Sequence, residues 1–76
     1  MALYHLYSSE GCHLCEQAHE LCFPILAEQM VVVDIVDDEN LVEQYGMHIP
    51  VLKNLTSGQQ LFWPFNREQI QTFINS

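Results

Sequence analysis

Cys12 and Cys15, in the run Gly11-Cys12-His13-Leu14-Cys15, are the side chains best suited to covalent chemistry. Two cysteines separated by two residues can form a redox dithiol or ligate a metal. Their setting favours the first. An apolar, strand-like run precedes them and a helix-like run follows, so the pair falls where a helix begins. A helix N-terminus carries positive potential and unpaired N–H groups, and both stabilise a thiolate, the species that attacks disulfides. In that chemistry Cys12, just before the helix, attacks a target disulfide and forms a mixed disulfide. Cys15, one turn in, then displaces the reduced product and closes a Cys12–Cys15 bond. His13 lies between them and has two readings. Protonated, it would stabilise the neighbouring thiolate; otherwise it is a first-turn residue facing solvent.

Ile49-Pro50 is the second element of interest. An X–Pro bond at the entrance to a strand is where a cis peptide can occur. Facing the dithiol, it would expose the backbone of Ile49, with which an extended substrate could pair like an added strand. Trp63, beside Pro64, is a candidate for an apolar contact with a partner, whereas Tyr45 and Phe65 are expected in the core. Cys22 comes seven residues after Cys15, about 10 Å along the same helix face. That is too far for a disulfide, so Cys22 is expected to pack in the interior. His5, His19 and His48 scatter over different elements, and His48 could lie near the site or on the surface. Cys12, Cys15 and His19, with Cys22 or His48, could in principle join a Zn²⁺ ion. Zinc modules usually supply a second paired ligand set, and this chain has none, so no metal is expected.

The elements that must position these residues follow the apolar pattern. Residues 2–7 read as a buried strand, and Ser8-Ser9-Glu10-Gly11 as a turn. From residue 12 to about residue 30, Leu14, Cys15, Ala18, Leu21, Cys22, Ile25 and Leu26 recur at helical spacing, with Pro24 expected to kink or interrupt the helix. Residues 31–36 are β-branched and read as a second strand. Asp37-Asp38-Glu39-Asn40 opens a short helix that Gly46 can end. Residues 48–52 begin a third strand, Thr56-Ser57-Gly58 is a hairpin turn, and residues 60–63 form a fourth strand stopped by Pro64. Asn66 caps a last helix with Ile70, Phe73 and Ile74 on one face. The order β-α-β-α-β-β-α suits a right-handed parallel crossover followed by a hairpin: an α/β domain with a four-stranded mixed sheet flanked by helices.

The chain has 76 residues, 49% of them hydrophobic, including four Phe, three Tyr and one Trp. A domain this small buries only about 60% of its unfolded surface, but this composition can fold without a metal or disulfide staples. Residues 1–76 are expected to form one domain and a monomer. Ten acids face two bases, Lys53 and Arg67, for a formal net charge of −8. Phosphate recognition runs on Lys and Arg, so nucleic acid is excluded as a partner, as is an anionic membrane surface. The charge reads either as a solvated surface or as a selector for a basic partner protein. Three cysteines cannot close into a disulfide framework, no segment has signal-peptide or transmembrane character, and a cytoplasmic location follows as the expectation.

With these residues in place, the chain resembles the glutaredoxin and thioredoxin-fold family over nearly its whole length. The resemblance rests on the strand–Cys12-His13-Leu14-Cys15–helix order and on Ile49-Pro50-Val51 opening the third strand. It is similar to a group of small bacterial glutaredoxin-like proteins in which Gly-Cys-His-Leu-Cys and a later Trp-Pro-Phe recur, here residues 11–15 and 63–65. The resemblance implies a dithiol–disulfide oxidoreductase site at Cys12 and Cys15, with Pro50 in cis beside it; by their own positions in the sequence, His13, Ile49 and Trp63 are the substrate-binding candidates. The expected partners are protein or small thiol disulfides, with a protein disulfide favoured by Glu10 and the Trp63-Pro64-Phe65 run, and a thiol reductant or reductase as electron donor.

The chain departs from the better-known members of that family. Glutaredoxins resemble one another in a basic residue shortly before the cysteine pair, where this chain has Ser8-Ser9-Glu10-Gly11. Their Gly-Gly-acid turn, which helps hold glutathione, is replaced by Phe62-Trp63-Pro64-Phe65-Asn66. The thioredoxin Trp before the first cysteine is Gly11, and the thioredoxin strand acid is Leu6. Glu10 opposes a thiolate at Cys12, and glutathione is itself anionic. No cofactor is therefore expected, and glutathione should bind weakly. Two alternatives remain on the same fold: a Zn or Fe–S protein, including a glutathione-bridged cluster, and a redox-inactive protein-binding module.

Overall fold

The apolar run that leads to the cysteine pair becomes β1, Tyr4–Ser8, in the computed structural model, which describes residues 2–75. Strand geometry sends alternate side chains to opposite faces. Tyr4 and Leu6 therefore join one buried cluster and Tyr7 another. The remaining elements are α1 (His13–Leu26), β2 (Met30–Asp34), α2 (Glu39–Tyr45), β3 (Val51–Asn54), β4 (Gln60–Phe62) and α3 (Arg67–Ile74). Single 3-10 turns, Ala27–Gln29 and Ile35–Asp37, flank β2. The four strands form one mixed sheet in the order β2-β1-β3-β4. β2 lies parallel to β1, with Ser8 opposite Asp34, while β3 runs antiparallel to β1, with Tyr7 opposite Val51. β4 closes the hairpin with Val51 opposite Phe62.

One cluster joins Tyr4, Leu6 and Leu52 of the sheet to Ala18, Cys22 and Leu26 of α1 and to Ile70 and Phe73 of α3. The other joins Tyr7 and Val51 to Ile35 and to Tyr45 of α2. The Tyr7 and Tyr45 rings stack with centroids 4.5 Å apart, and the Tyr45 hydroxyl accepts from Gln60 Nε2 at 2.6 Å. The expected β-α-β-α-β-β-α sheet with helices on its faces is the fold observed.

Several ends differ from the sequence expectation, each for a local reason. β3 begins at Val51 rather than residue 48, because the His48 and Ile49 N–H groups both turn back to the Tyr45 carbonyl, at 2.8 and 3.0 Å. β2 stops at Asp34, whose side chain accepts from Val36 N–H at 2.9 Å and folds the chain into a turn. Pro24 does not interrupt α1 at once. It leaves the Glu20 carbonyl without an N–H donor, but that side of the helix is exposed and water can serve instead. The helix runs on to Leu26 and ends at Ala27, with φ +47°.

Caps fix the other two helices. Asp38 accepts from Asn40 and Leu41 N–H groups at the start of α2. Asn66 and Gln69 form a reciprocal capping box at the start of α3, 2.8 and 2.9 Å long. In the hairpin, buried Asn54 accepts from Thr56 and Ser57 N–H groups, and Gly58 takes φ +78°. A turn of that hand favours glycine.

Candidate functional site

The topology gathers one set of chain segments at a single end of the sheet. β1 and β2 both finish there, and antiparallel β3 begins there. β4, antiparallel to β3, also finishes there. That end therefore carries the loop to Cys12, the turn after Asp34, Ile49-Pro50, and Trp63-Pro64.

Beyond Ser8 the chain turns through Gly11, at φ +78°, and Cys12 N–H donates to the Ser9 carbonyl at 3.3 Å. Cys12 is extended at φ −89°, ψ 107° and occupies the N-cap position of α1. Its Sγ accepts from Cys15 N–H at 3.1 Å, the bond a Ser or Asp oxygen would accept in an ordinary cap. Cys12 and Cys15 are joined as a disulfide, with Cα atoms 5.2 Å apart. The two sulfurs are not equivalent. Cys15 is 5% exposed, whereas Cys12 is half-buried, so an incoming thiolate or disulfide meets Cys12 first. A cleft of about 320 Å³ opens against the pair, bordered by Ser9, Glu10, Glu16 and His19.

The other candidate residues lie in segments at this end of the sheet, and Ile49, Pro50 and Trp63 are not among the residues that line the cleft. His13 points into solvent, and its Nδ1 lies 3.7 Å from Glu16 Oε2. Pro50 is fully buried, the Ile49–Pro50 peptide is cis, and the Pro50 carbonyl accepts from Trp63 N–H at 3.2 Å. Ile49 is half-buried and packs beside Tyr7, Tyr45 and Val51. Its N–H is already engaged by Tyr45. The Trp63–Pro64 peptide is also cis. Trp63 is less of a surface residue than its neighbour Pro64 suggested. It packs on the larger core cluster and meets Phe65 edge-on with ring centroids 5.1 Å apart, leaving part of the indole accessible. His48 is exposed and rests against Phe62.

His19, which the sequence groups with Cys12 and Cys15 as a possible metal ligand, borders the cleft, and so does Glu16, which the sequence reading does not single out. For Glu16 the available signal is its place directly after Cys15 in the first turn of a helix. Among the described residues, no three His, Cys, Asp or Glu side chains are placed to hold a metal ion. Among the same residues, no helix is long and apolar enough to cross a membrane.

Cys22 is fully buried in the larger cluster, and burial pushes its thiol from 9.0 up to about 12. Native protein with the disulfide intact should therefore resist thiol-labelling reagents at neutral pH and take up one label on unfolding. Rapid labelling of Cys22 in the folded state would contradict its placement. The folded-state thiol holds its proton more tightly than the unfolded one, so its contribution to stability is full below pH 9 and declines as pH rises toward 12. Burial and the neighbouring Tyr45 raise Tyr7 in the same direction. Thermal scans should show stability falling through this alkaline window, and less steeply in Cys22→Ala.

Residues 4–75 match the family described as Glutaredoxin-like domain (DUF836). The X-ray structure of target protein XcR50 from X. campestris is 35% identical, with 95% of each chain covered and a TM-score of 0.85. The solution structure of the same target is 36% identical over 99% of this chain and 94% of that one, with a TM-score of 0.83. Protein Ne2328 from Nitrosomonas europaea, at 24% identity over 92% of this chain and 87% of that chain, has a TM-score of 0.76 and shows likeness of fold. A search of functionally curated proteins finds no match to this chain.

Proposed function

The chain belongs to the glutaredoxin-like domain family, and on that premise we propose that it is a thiol–disulfide oxidoreductase working through Cys12 and Cys15. The observation that carries the proposal is the asymmetry of the pair. An accessible sulfur caps a helix and accepts a backbone N–H, and it is joined to a buried sulfur one turn away. In the reduced protein, that N–H and the helix N-terminus would favour the Cys12 thiolate. The thiolate attacks a disulfide R–S–S–R, forms Cys12–S–S–R and releases RS⁻, which takes up a proton. Cys15, losing its proton, attacks Cys12 Sγ and releases the second RS⁻. Two electrons pass from the protein dithiol to the substrate disulfide.

Ile49 and Trp63 are the docking residues of this reading. Because Ile49 N–H is held by Tyr45, an extended partner would pair through the Ile49 carbonyl. The accessible part of Trp63 supplies an apolar contact, and His13, exposed beside Cys12, meets the partner at the rim. The substrate is a protein disulfide and the donor a thiol reductant or reductase. The protein acts as a monomer in the cytoplasm, where thiols are kept reduced, with no nucleic acid or membrane partner.

Equilibrating the pair in dithiothreitol buffers of graded oxidation tests the proposal. A single two-electron transition between dithiol and disulfide is expected, followed by turnover with either a glutathione system or a thioredoxin reductase. Absence of any such transition would favour a redox-inactive binding module instead. Glu10 sits two residues from Cys12, and no Lys or Arg lines the cleft. Calorimetry with reduced glutathione should accordingly show no saturable heat at millimolar concentrations; tight, saturable binding would contradict this.

A further inference from the structure

We propose that the cleft against Cys12 and Cys15 selects disulfides flanked by positive charge: a protein disulfide with Lys or Arg beside it. This rests on the exchange reading above and adds the chemical class of its substrate. The cleft that borders the two sulfurs is lined by two carboxylates, Glu10 and Glu16, with Ser8, Ser9 and His19 as its other polar side chains. No Lys or Arg lines it. The chain's two strong bases lie elsewhere: Lys53 in β3, opposite His5, and Arg67 at the first position of α3.

The acids do not stop at the rim. Asp34 stands opposite Ser8 at the same end of the sheet, and Asp37, Asp38 and Glu39 follow it into α2. The imidazoles nearest these carboxylates are His13, whose Nδ1 lies 3.7 Å from Glu16 Oε2, and His19, which borders the cleft. A disulfide entering this cleft therefore meets two carboxylates of its lining at the moment a thiolate must attack it. An ammonium or guanidinium group beside the disulfide is attracted to those carboxylates, while a carboxylate beside it is repelled. Such fields act on encounter rates and weaken as salt rises.

The test uses three small disulfides: cystamine, which is cationic, hydroxyethyl disulfide, which is neutral, and dithiodipropionate, which is anionic. Each oxidises the pre-reduced protein in single turnover at mildly alkaline pH. Each rate is divided by that of free mercaptoethanol with the same disulfide, which removes differences in leaving-group reactivity. At low salt the normalised rate should fall about tenfold from cation to neutral and about tenfold again from neutral to anion. Molar salt should bring the three to within about twofold.

Glu10→Gln with Glu16→Gln should cut the cation-to-anion ratio by about tenfold. Glu28→Gln with Glu68→Gln, which makes the same change in net charge outside the cleft, should leave the ratio in place. Equal normalised rates for the three disulfides, alongside exchange with the neutral one, would overturn the selectivity and leave the exchange reading standing. A ratio lowered equally by both double variants would also overturn it, because bulk charge would then be the cause. Failure to exchange with any of the three would overturn the exchange reading and the selectivity with it.

Discussion

Cys12→Ser should fold and should not exchange disulfides. The fold survives because the residue's structural work is an N-cap, and a serine hydroxyl can accept the Cys15 N–H that Cys12 Sγ accepts at 3.1 Å. Serine is among the preferred caps, so the helix should lose little stability. The chemistry does not survive, since a hydroxyl at neutral pH supplies no thiolate. Removing the nucleophile should lower the rate by at least about a thousandfold, to the background of the assay.

Cys15→Ser should behave differently. It keeps the accessible sulfur but has nothing to displace the product, so the Cys12 mixed disulfide should accumulate and be visible by intact mass. Residual full turnover in Cys12→Ser would show that Cys12 is not the attacking sulfur. Equal accumulation of mixed disulfide by either single variant would remove the distinction between the accessible and the buried cysteine.

Leu6→Ala should cost about 2–5 kcal/mol of stability, the range for truncating a fully buried leucine. Leu6 is 0% exposed at the centre of β1, between β2 and β3, and packs against α1 and α3. A chain of this length has a total stability of roughly 4–11 kcal/mol, so the variant loses a large share of it. Urea unfolding followed by circular dichroism should show the midpoint lowered by more than about 1 M. Leu3→Ala, at a side chain that is 43% exposed, should change stability by less than about 0.5 kcal/mol. Similar effects from both substitutions would mean that the core is not centred on this strand.

The architecture was legible where its causes are local. The β-branched and aromatic runs located β1 and β2, and Asn66 announced α3 by the same capping chemistry the structure shows. The pairing of Cys12 with Cys15 was legible for the same reason, because a separation of three at a helix start brings the two sulfurs together. Features built from distant partners were not legible. Nothing near His48 and Ile49 in sequence says that both N–H groups return to Tyr45 and delay β3. The bond from Trp63 N–H to the Pro50 carbonyl depends on hairpin register. The acidic walls of the cleft join Glu10, before the helix, to Glu16, within it, and their convergence depends on the loop conformation at Gly11.

The position of β2 has a consequence for behaviour at high concentration. β2 is an edge strand, and it leaves Val31 and Val32 each 46% exposed along it. An open edge with valine side chains is a template on which another copy could add a strand, the first step toward an aggregate. Nothing covalent protects that edge. What opposes such stacking is the long-range repulsion between copies that each carry a formal net charge of −8. The acidity thus gives the molecule colloidal protection, which fades as the solution approaches its isoelectric point near 4.5.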